Sequence, residues 1–316
     1  AARNEASRLH QEMMSHGKKF NMKKRVLITG ANGLLGRSII SCNENRFELL
    51  ATGKQKAPTT DTDNLYAPLD ILDSNQCDKV FSKYKPDYVI HAAAITNVDK
   101  CEEESYACNL VNVDGTNNIL KACEKYGSHL IFISTDFIFD GDHGSYSENS
   151  KPNPISIYGM SKWNAEKLIR ASNIDSSIVR TSLVMGYFEN LRTSNLILWA
   201  REKLSKGENI SIVNDQIRTP TWSMDLAEGC FLLIKNSATG IYNISGSEKF
   251  RISELIMRVA EHGNYNLKLI KEVKTKELNQ IAPRPLISDL DISKARRNIG
   301  FNPHSFKDVL DSMPYI

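Results

Sequence analysis

The sequence predicts a doubly wound α/β fold with a parallel sheet, followed by a smaller and less regular lobe. Three observations carry this prediction. Short apolar runs without polar alternation recur along residues 25–181, helical stretches separate them, and a glycine-rich turn follows the first run. Continuous apolar strands are typical of parallel sheets that helices cover on both faces. After residue 181 the regular alternation loosens, which indicates the second lobe.

The individual elements follow from the same patterns. Strands are predicted in chain order at residues 26–28, 47–52, 88–91, 130–133 and 177–180, and later at 210–213 and 241–244. Apolar residues recur with helical spacing at residues 34–42, 73–84, 106–126, 161–172, 196–206, 224–235 and 253–262. Ser253 is a residue type that caps helix starts, so it is expected at the N-cap of the last helix. The run Pro283-Arg284-Pro285 predicts a loop, because proline disfavours regular structure.

The composition narrows the class of protein. A net charge of +3, from 40 basic and 37 acidic residues without a long Lys/Arg cluster, predicts no nucleic-acid partner. No apolar run is long enough to span a membrane, so we expect a soluble protein. Six scattered cysteines without a CxxC pair favour reduced thiols in the cytosol. Seven histidines without paired spacing predict no metal site.

A glycine-rich turn lies between the first strand and the first helix. Glycines permit a tight turn, allow backbone N–H groups to approach a pyrophosphate, and let helix and strand pack closely. The phosphates then meet a helix N-terminus, where unpaired donors favour negative charge. The turn therefore predicts a dinucleotide cofactor on a Rossmann-type domain. Cofactor contacts are expected from Gly30, Asn32, Gly33, Leu34, Leu35 and Gly36.

The residues around the end of the second strand favour NADP(H) over NAD(H). An acidic residue at this place commonly binds the ribose 2′-hydroxyl of NAD. Here the strand runs into Lys54, no acid is present, and Arg37 follows the last glycine of the turn. Two cations match the 2′-phosphate of NADP(H). The alternative is that Arg37 and Lys54 are solvated surface charges. Asp70 and Ile71 follow a short strand and are expected at the adenine edge, with a turn-capping Asp70 as the alternative.

A tyrosine and a lysine four residues apart, Tyr158 and Lys162, form the candidate catalytic pair. On a helix both point along one face. A nearby ammonium and a positive nicotinamide ring favour phenolate, so we expect the pKa of Tyr158 to be lowered toward the working range. Ser134 and Thr135 end an earlier strand, where ligands of open α/β sheets bind. One of the two hydroxyls is expected to hydrogen-bond a substrate carbonyl beside Tyr158.

Four motifs together resemble the extended short-chain dehydrogenase/reductase superfamily. They are the glycine turn, the strand end His91–Ala94, the run Ser134–Gly141 and Tyr158-Gly159-Met160-Ser161-Lys162. Within it the chain is most similar, over roughly residues 23–312, to the dTDP-4-dehydrorhamnose reductase family. Segments 94–100, 111–112, 215–221 and 284–285 carry this similarity.

The resemblance implies a function and a set of site residues. Thr135, Tyr158 and Lys162 would form a catalytic triad, with hydride delivered from NADPH to the C4 carbonyl of a nucleotide-linked sugar and the proton from Tyr158. Further cofactor contacts are implied for Ala92, Ala93, Ala94 and Asn112. Substrate contacts are implied for Thr96, Val98, Thr135, Phe137, Leu183, Arg218, Thr221 and Arg284. The assembly is left open, with a homodimer as the candidate.

These assignments divide the chain. Residues 1–21 are polar and precede Met22, so we expect an extension outside the fold, native or added by cloning. Residues 22–181 are expected to bind the cofactor, and elements at about 216–243 to return to the same domain. Residues 182–215 and 244–316 are expected to form the substrate lobe.

Two departures from the reductase pattern leave the sugar open. Phe137 stands where the family usually has tyrosine, and Leu183 where it usually has tryptophan. Another keto-deoxy sugar on dTDP, UDP or GDP therefore fits as well. The regulatory β subunit of methionine adenosyltransferase is also similar, including the Tyr-Lys pair, and would make the protein a non-catalytic NADP(H)-binding partner. A nucleotide-sugar epimerase is the third alternative, whereas a dehydratase would need a glutamate after Asp136.

Overall fold

The computed structural model describes residues 23–56, 65–191 and 195–313. The prediction for residues 1–21 lies outside these ranges. The strands are β1 (Arg25–Thr29), β2 (Glu48–Gly53), β3 (Leu65–Pro68), β4 (Tyr88–His91), β5 (His129–Thr135), β6 (Ser176–Thr181), β7 (Val184–Met185), β8 (Ile210–Val213), β9 (Ile217–Arg218), β10 (Thr221–Trp222), β11 (Gly240–Asn243), β12 (Phe250–Arg251) and β13 (Ile270–Val273).

The helices alternate with these strands in the first half of the chain. The α-helices are α1 (Leu34–Cys42), α2 (Ser74–Tyr84), α3 (Val98–Glu103), α4 (Ser105–Asn109), α5 (Thr116–Tyr126), α6 (Ile157–Ala171), α7 (Leu196–Ser205), α8 (Ser223–Lys235), α9 (Ile252–His262), α10 (Ser293–Ile299) and α11 (Phe306–Ser312). A π-helix covers Leu110–Gly115, and short 3₁₀ turns cover Asp136–Ile138, Leu267–Leu269 and Thr275–Glu277.

Seven strands form one parallel sheet in the order β11-β6-β5-β4-β1-β2-β3. The strand order reverses between β1 and β4, and ligands of such sheets bind outside the carboxyl ends of the strands at this switch point. The structure therefore confirms the predicted doubly wound fold. It also places the glycine turn, which follows β1, and the strand end His91–Ala94, which follows β4, side by side.

Both faces of the sheet are buried, which explains the continuous apolar strands. Val26 and Ile28 face the core shared with α1 and α8. Leu27, between them in sequence, faces the core shared with α2, α5 and α6 on the opposite side. Because successive side chains of a strand point to opposite faces, a sheet covered twice requires apolar residues at each position.

The later part of the chain has a core of its own. Ile197 of α7, Leu255 of α9 and Phe306 of α11 pack together there with the paired strands β8 and β13. In contrast, α8 and β11 join the central sheet and its core. The boundaries of the two lobes stay a prediction.

Local departures from the predicted elements have identifiable causes. The predicted helix 106–126 is divided into α4, the π-helix and α5. Asn112 lies in the π-helix, and its amide bonds both to the backbone of Ile95 and to Ser161. Ser253 is not an N-cap, because α9 begins at Ile252 with Arg251 before it. Helix α6 begins at Ile157, earlier than predicted, with Ser156 accepting a hydrogen bond from the Gly159 N–H.

Candidate active site

The glycine turn has the geometry of a pyrophosphate cradle. Gly30 has φ +71°, and a Cβ there would lie 2.9 Å from the Ala93 nitrogen. A Cβ on Gly36 would lie 2.5 Å from the Gly30 carbonyl oxygen. Gly33 is the N-cap of α1 and offers no side chain to cap it, so N–H groups of the first turn are available to an anion. The turn therefore fits a dinucleotide.

A cleft of about 470 Å³ runs from this turn along the carboxyl ends of the strands. Many of the predicted cofactor and substrate residues line it together. They are Gly30, Gly33, Leu34, Leu35, Gly36, Ala92, Ala94, Thr96, Val98, Thr135, Phe137, Tyr158, Lys162 and Leu183. The cleft thus joins the glycine turn to the Tyr-Lys pair, as the order of motifs in the sequence predicts.

The start of α6 fixes Tyr158. Besides the Ser156 cap, the Glu102 carboxylate accepts a hydrogen bond of 2.7 Å from the Ile157 N–H. The run 102–104 alone suggests a solvated face, and only the fold shows that Glu102 supports the helix that carries Tyr158. The phenol ring of Tyr158 packs edge to face on Phe137 with centroids 5.7 Å apart.

The electrostatics of the pair are set by burial. Burial raises the pKa of Tyr158 well above its ordinary value, and a hydrogen bond with Thr135 opposes the rise. This differs from the lowered pKa that the sequence predicts, because desolvation of the phenolate is the largest contribution. Burial also lowers the pKa of Lys162 to about 7, with the Glu166 carboxylate opposing the change. At neutral pH the phenol therefore holds its proton, which suits a proton donor.

The structure distinguishes the two hydroxyls at the end of β5. Ser134 donates to the Glu166 carboxylate, which forms a fully buried ion pair with Arg180 at 2.7 Å. Ser134 also lines the cleft, but its hydroxyl hydrogen is taken by Glu166. The Thr135 hydroxyl donates to the Asp136 carboxylate and accepts from the Phe137 N–H, both at 3.2 Å. It also lies near enough to the Tyr158 phenol to oppose the rise of the Tyr158 pKa, so it is the hydroxyl next to the candidate proton donor.

A cluster of polar side chains lies at the end of β2, where the adenosine ribose of a dinucleotide would lie. Lys54 forms an ion pair with Asp70 at 2.9 Å. The Asn32 amide donates to Gln55 at 3.1 Å and lies 3.4 Å from the Tyr66 hydroxyl. Gln55 and Tyr66 were not predicted, because β3 is short and only the fold brings Tyr66 to this turn.

Other predicted cofactor residues lie elsewhere. Arg37 is buried, and its guanidinium donates to the carbonyls of Glu189 at 2.7 Å and Asn190, so it does not join Lys54. Asp70 caps Leu72 through its carboxylate. The Ile71 side chain is buried and its carbonyl accepts from Asn118, which leaves it a packing role.

Ala93 and Asn112 support the cleft without lining it. The Ala93 N–H donates to the Thr29 hydroxyl at 3.1 Å. Asn112 is fully buried and its amide holds the Ile95 backbone, which leads into the cleft-lining Thr96. Ligand contact by these two side chains does not follow from the structure. Both residues instead support the shape of the cleft, Ala93 through its backbone N–H and Asn112 through its hydrogen bonds to the Ile95 backbone.

A second cleft of about 510 Å³ adjoins the first, and Phe137 and Leu183 line both. Leu183 has φ +41°, a conformation that is rare for a bulky residue and concentrates at functional sites. The walls of the second cleft are mostly apolar and come from the later part of the chain. They consist of Phe137, Leu183, Leu196, Trp199, Ser211, Ile212, Val213, Gln216, Arg218, Ile252, Leu278, Gln280 and Arg284.

Two predicted substrate residues have structural partners. Arg218 is buried, lies 3.5 Å from the Asp136 carboxylate and donates to the Pro285 carbonyl at 2.6 Å. Thr221 is fully buried, lines neither cleft, and donates to the Ser182 carbonyl at 2.6 Å. Direct substrate contact by Thr221 is therefore not supported. Trp199 lines the second cleft as well.

Neither a metal cluster nor a membrane-spanning helix occurs in residues 23–56, 65–191 and 195–313. No group of three or more His, Cys, Asp or Glu side chains there could hold a metal ion. No helix in those ranges combines the length and apolar character needed to cross a bilayer.

The sheet, the glycine turn and the Tyr-Lys pair in one cleft define an extended short-chain dehydrogenase/reductase. Residues 23–314 match the family model described as the RmlD substrate binding domain, and the chain belongs to this family. It is 29% identical over 303 residues to a dTDP-4-dehydrorhamnose reductase from Aggregatibacter actinomycetemcomitans, with 92% of this chain and 98% of the relative covered.

Two further comparisons bear on the alternatives. Methionine adenosyltransferase 2 subunit beta from Xenopus tropicalis is 30% identical over 280 residues, covering 87% of this chain and 82% of the relative. The crystal structure of a dTDP-4-dehydrorhamnose reductase from Bacillus anthracis, solved in complex with NADP, superposes with a TM-score of 0.83. That protein is 31% identical, with 92% of this chain and 98% of the other covered. The family resemblance is thus confirmed, and the similar proteins include both dTDP-4-dehydrorhamnose reductases and a methionine adenosyltransferase subunit.

Proposed function

We propose that this protein is an NADP(H)-dependent reductase of a nucleotide-linked 4-keto-6-deoxy sugar. The observation that carries the proposal is the meeting of Thr135, Tyr158 and Lys162 in a cleft that starts at the glycine turn and continues into a second cleft. A dinucleotide fits the first cleft, and a separate elongated ligand fits the second. The two would meet at Phe137 and Leu183, beside the phenol.

The chain's own groups account for the proton side of a carbonyl reduction. NADPH, when bound, supplies the hydride. Tyr158, whose pKa burial raises, keeps its proton until negative charge develops on the substrate oxygen and then donates it. Thr135 lies beside the phenol, and its hydroxyl, turned from the Asp136 carboxylate, would stabilise the phenolate that is left. Lys162 is buried on the same helix face and, when protonated, adds a positive charge that favours this phenolate.

NADP(H) is the proposed cofactor. Lys54 and the amide of Asn32 lie at the end of β2, and Asp70, the carboxylate in this cluster of polar side chains, is paired with Lys54. Lys54 is mostly exposed, so it can turn toward a 2′-phosphate at little cost. The NADP complex of the Bacillus anthracis relative supports the same choice.

The compartment and the assembly belong to the proposal as well. All six cysteines are unpaired, which supports a reducing compartment such as the cytoplasm. The nucleotide sugar is the proposed partner, and a homodimer is the proposed assembly.

NADPH oxidation with dTDP-, UDP- and GDP-linked 4-keto-6-deoxy sugars tests the proposal. We expect turnover with one of them, and a loss of about 10²-fold to 10⁴-fold in kcat for Tyr158→Phe with the NADPH affinity retained. Trp163→Phe is a control, because Trp163 lies on the same helix and packs with a separate core cluster. Full activity of Tyr158→Phe would refute the assignment of the proton donor.

A regulatory subunit is the second candidate. The 30% identity to methionine adenosyltransferase 2 subunit beta favours it, as do the mostly apolar second cleft and its two internally paired arginines. Such a protein would bind NADPH tightly without oxidising it in the presence of any of the three sugars. The same assay therefore separates the two candidates.

A further inference from the structure

Asp99 forms an ion pair with Arg284, a partly exposed arginine in the wall of the second cleft. It lies on α3, immediately after Val98, which lines the cofactor cleft. Its carboxylate accepts three hydrogen bonds from the loop that borders the second cleft. The Ala282 N–H and Arg284 Nη1 bind Oδ1 at 3.0 and 3.1 Å, and Arg284 Nη2 binds Oδ2 at 2.7 Å. One carboxylate thus ties the helix beside the cofactor cleft to the loop beside the substrate cleft.

Arg284 differs from the other arginine of the cleft wall. Arg218 is buried and is held by the carbonyls of Pro285 and Leu286 and by Asp136. Arg284 is partly exposed, with 16% of its side-chain surface accessible. Among the described residues that line this cleft, these two arginines are the cations. An anion in the cleft therefore meets Arg284 more readily.

The hydrogen bonds of Arg284 leave one edge of its guanidinium open. Nη1 uses both hydrogens, on Asp99 and on the Ala282 carbonyl at 3.0 Å. Nη2 uses one hydrogen, on Asp99. Within the described part of the chain, Nε and the second Nη2 hydrogen have no acceptor. These two N–H groups are parallel, and such a pair matches two oxygens of a phosphate.

We propose that Asp99 is a positioning residue for substrate recognition. Its carboxylate binds Nη1 and Nη2 of Arg284 and so fixes the orientation of the guanidinium. In this orientation the remaining edge, formed by Nε and the second Nη2 hydrogen, faces the diphosphate of the nucleotide sugar. This rests on the proposed function for the kind of substrate. Asp99 itself touches no substrate, and it acts through the orientation of Arg284. Because the guanidinium is already ordered, binding loses less side-chain entropy.

The alternative is that Asp99 competes with the substrate for Arg284. The positioning and the competition hypotheses predict opposite changes in diphosphate affinity when Asp99 is removed. If Asp99 competes, its removal leaves a more positive site that binds a diphosphate more tightly. If Asp99 positions Arg284, its removal weakens diphosphate binding although the net charge of the site becomes more positive.

The test measures binding of dTDP, UDP and GDP to the NADPH-loaded protein by titration calorimetry. For the diphosphate that the unmodified protein binds best, we expect Asp99→Asn to weaken binding about tenfold. The matching nucleoside should bind with unchanged affinity. Arg284→Lys keeps the charge and loses the planar edge, so it should weaken binding as well. The double variant should be no weaker than Arg284→Lys, because Asp99 acts through Arg284.

Glu103→Gln is the matched control. It removes one negative charge from an exposed position of the same helix and should leave the affinity unchanged. Asp99→Glu keeps a carboxylate and should recover part of the affinity, which shows that the loss is not misfolding. Unchanged or tighter binding by Asp99→Asn would overturn the proposal, as would additive losses in the double variant. Absence of diphosphate binding by the unmodified protein would overturn it too.

Binding and turnover keep the two proposals separate. If diphosphates bind with the expected pattern and no keto-sugar is reduced, the proposed reductase activity fails and the role of Asp99 stands. If a keto-sugar is reduced and Asp99→Asn binds like the unmodified protein, the role of Asp99 alone fails.

Discussion

Lys162 is a buried amine whose charge depends on pH near neutrality. Only 3% of its surface is exposed, and its Nζ lies 4.0 Å from the centre of the Phe132 ring. Burial disfavours the ammonium more than the Glu166 carboxylate favours it, so the pKa is lowered from 10.5 to about 7. Such a group can change charge during a catalytic cycle at neutral pH. Keeping it buried costs folding stability.

This cost should be visible as a pH-dependent difference between the unmodified protein and Lys162→Met. Between pH 7 and 10.5 the unfolded chain binds a proton at Lys162 that the folded chain has lost, so the stability of the unmodified protein rises with pH there. We therefore expect the stabilisation by Lys162→Met to be larger at pH 6 than at pH 9 by roughly 2 to 3 kcal/mol. Urea unfolding at both pH values measures it.

Lys121→Met serves as the control, because Lys121 is exposed on α5 and its removal should give the same stability difference at both pH values. A Lys162→Met effect that did not change with pH would show that the amine is not desolvated in the folded protein.

At the scale of elements, the turn between β1 and α1 separates two roles of glycine. A Cβ on Gly36 would overlap the backbone of Gly30 and Ala31 at 2.5 Å, so this glycine is needed for packing of helix on strand. A Cβ on Gly33 would meet only the Gly30 carbonyl oxygen at 3.3 Å and would otherwise occupy the cleft. We therefore expect Gly33 to matter more for ligand binding than for the fold.

The two substitutions should have different consequences. Gly36→Ala is expected to lower the free energy of unfolding by about 1 to 3 kcal/mol, as overpacking does. Gly33→Ala should cost about 1 kcal/mol or less and should weaken NADPH binding at least tenfold. Thermal unfolding with and without NADPH measures both effects. If Gly33→Ala bound NADPH like the unmodified protein, the pyrophosphate would not lie on this turn.

The elements also show how far the sequence could predict the structure. The strands and helices of the central sheet follow from apolar runs and spacing, because each strand is buried on both faces and each helix on one. The positions of the glycine turn and Tyr158 in one cleft could be predicted, because both motifs are defined by local spacing and by their order along the strands. The partners of Arg218 and Thr221 could not be predicted, since a sequence does not show that Arg218 pairs with Asp136 or that Thr221 donates to the Ser182 carbonyl. Glu102, Gln55 and Tyr66 became visible only through contacts between distant segments.

At the scale of the whole molecule, a buried polar cluster joins the end of β5 to the loop after residue 283. Asp136 is buried, and its carboxylate accepts hydrogen bonds from Ser182 at 3.0 Å and from Ser288. Arg218 lies 3.5 Å away and holds the Pro285 carbonyl. The cluster adjoins Phe137, where the two clefts meet, because Asp136 lines the first cleft and Arg218 lines the second. It therefore fixes the loop that carries Arg284 relative to the candidate catalytic residues Thr135 and Tyr158.

A substitution that weakens this buried polar cluster should increase the mobility of the loop at residues 283–290 without loosening the central sheet. Asp136→Asn leaves Arg218 buried without a counter-charge, and breaking one partner of a buried pair costs about 3 to 5 kcal/mol. We expect faster amide hydrogen exchange in residues 283–290. Strands β1 and β4 pair with each other away from Asp136, so their amides should exchange at the unmodified rate. The comparison is made at exchange times that are too short for global unfolding. Asp142→Asn, an exposed change in the same connection, is the control. Equal acceleration throughout the central sheet would mean that Asp136 supports the whole fold, and the loop carrying Arg284 would then need another support.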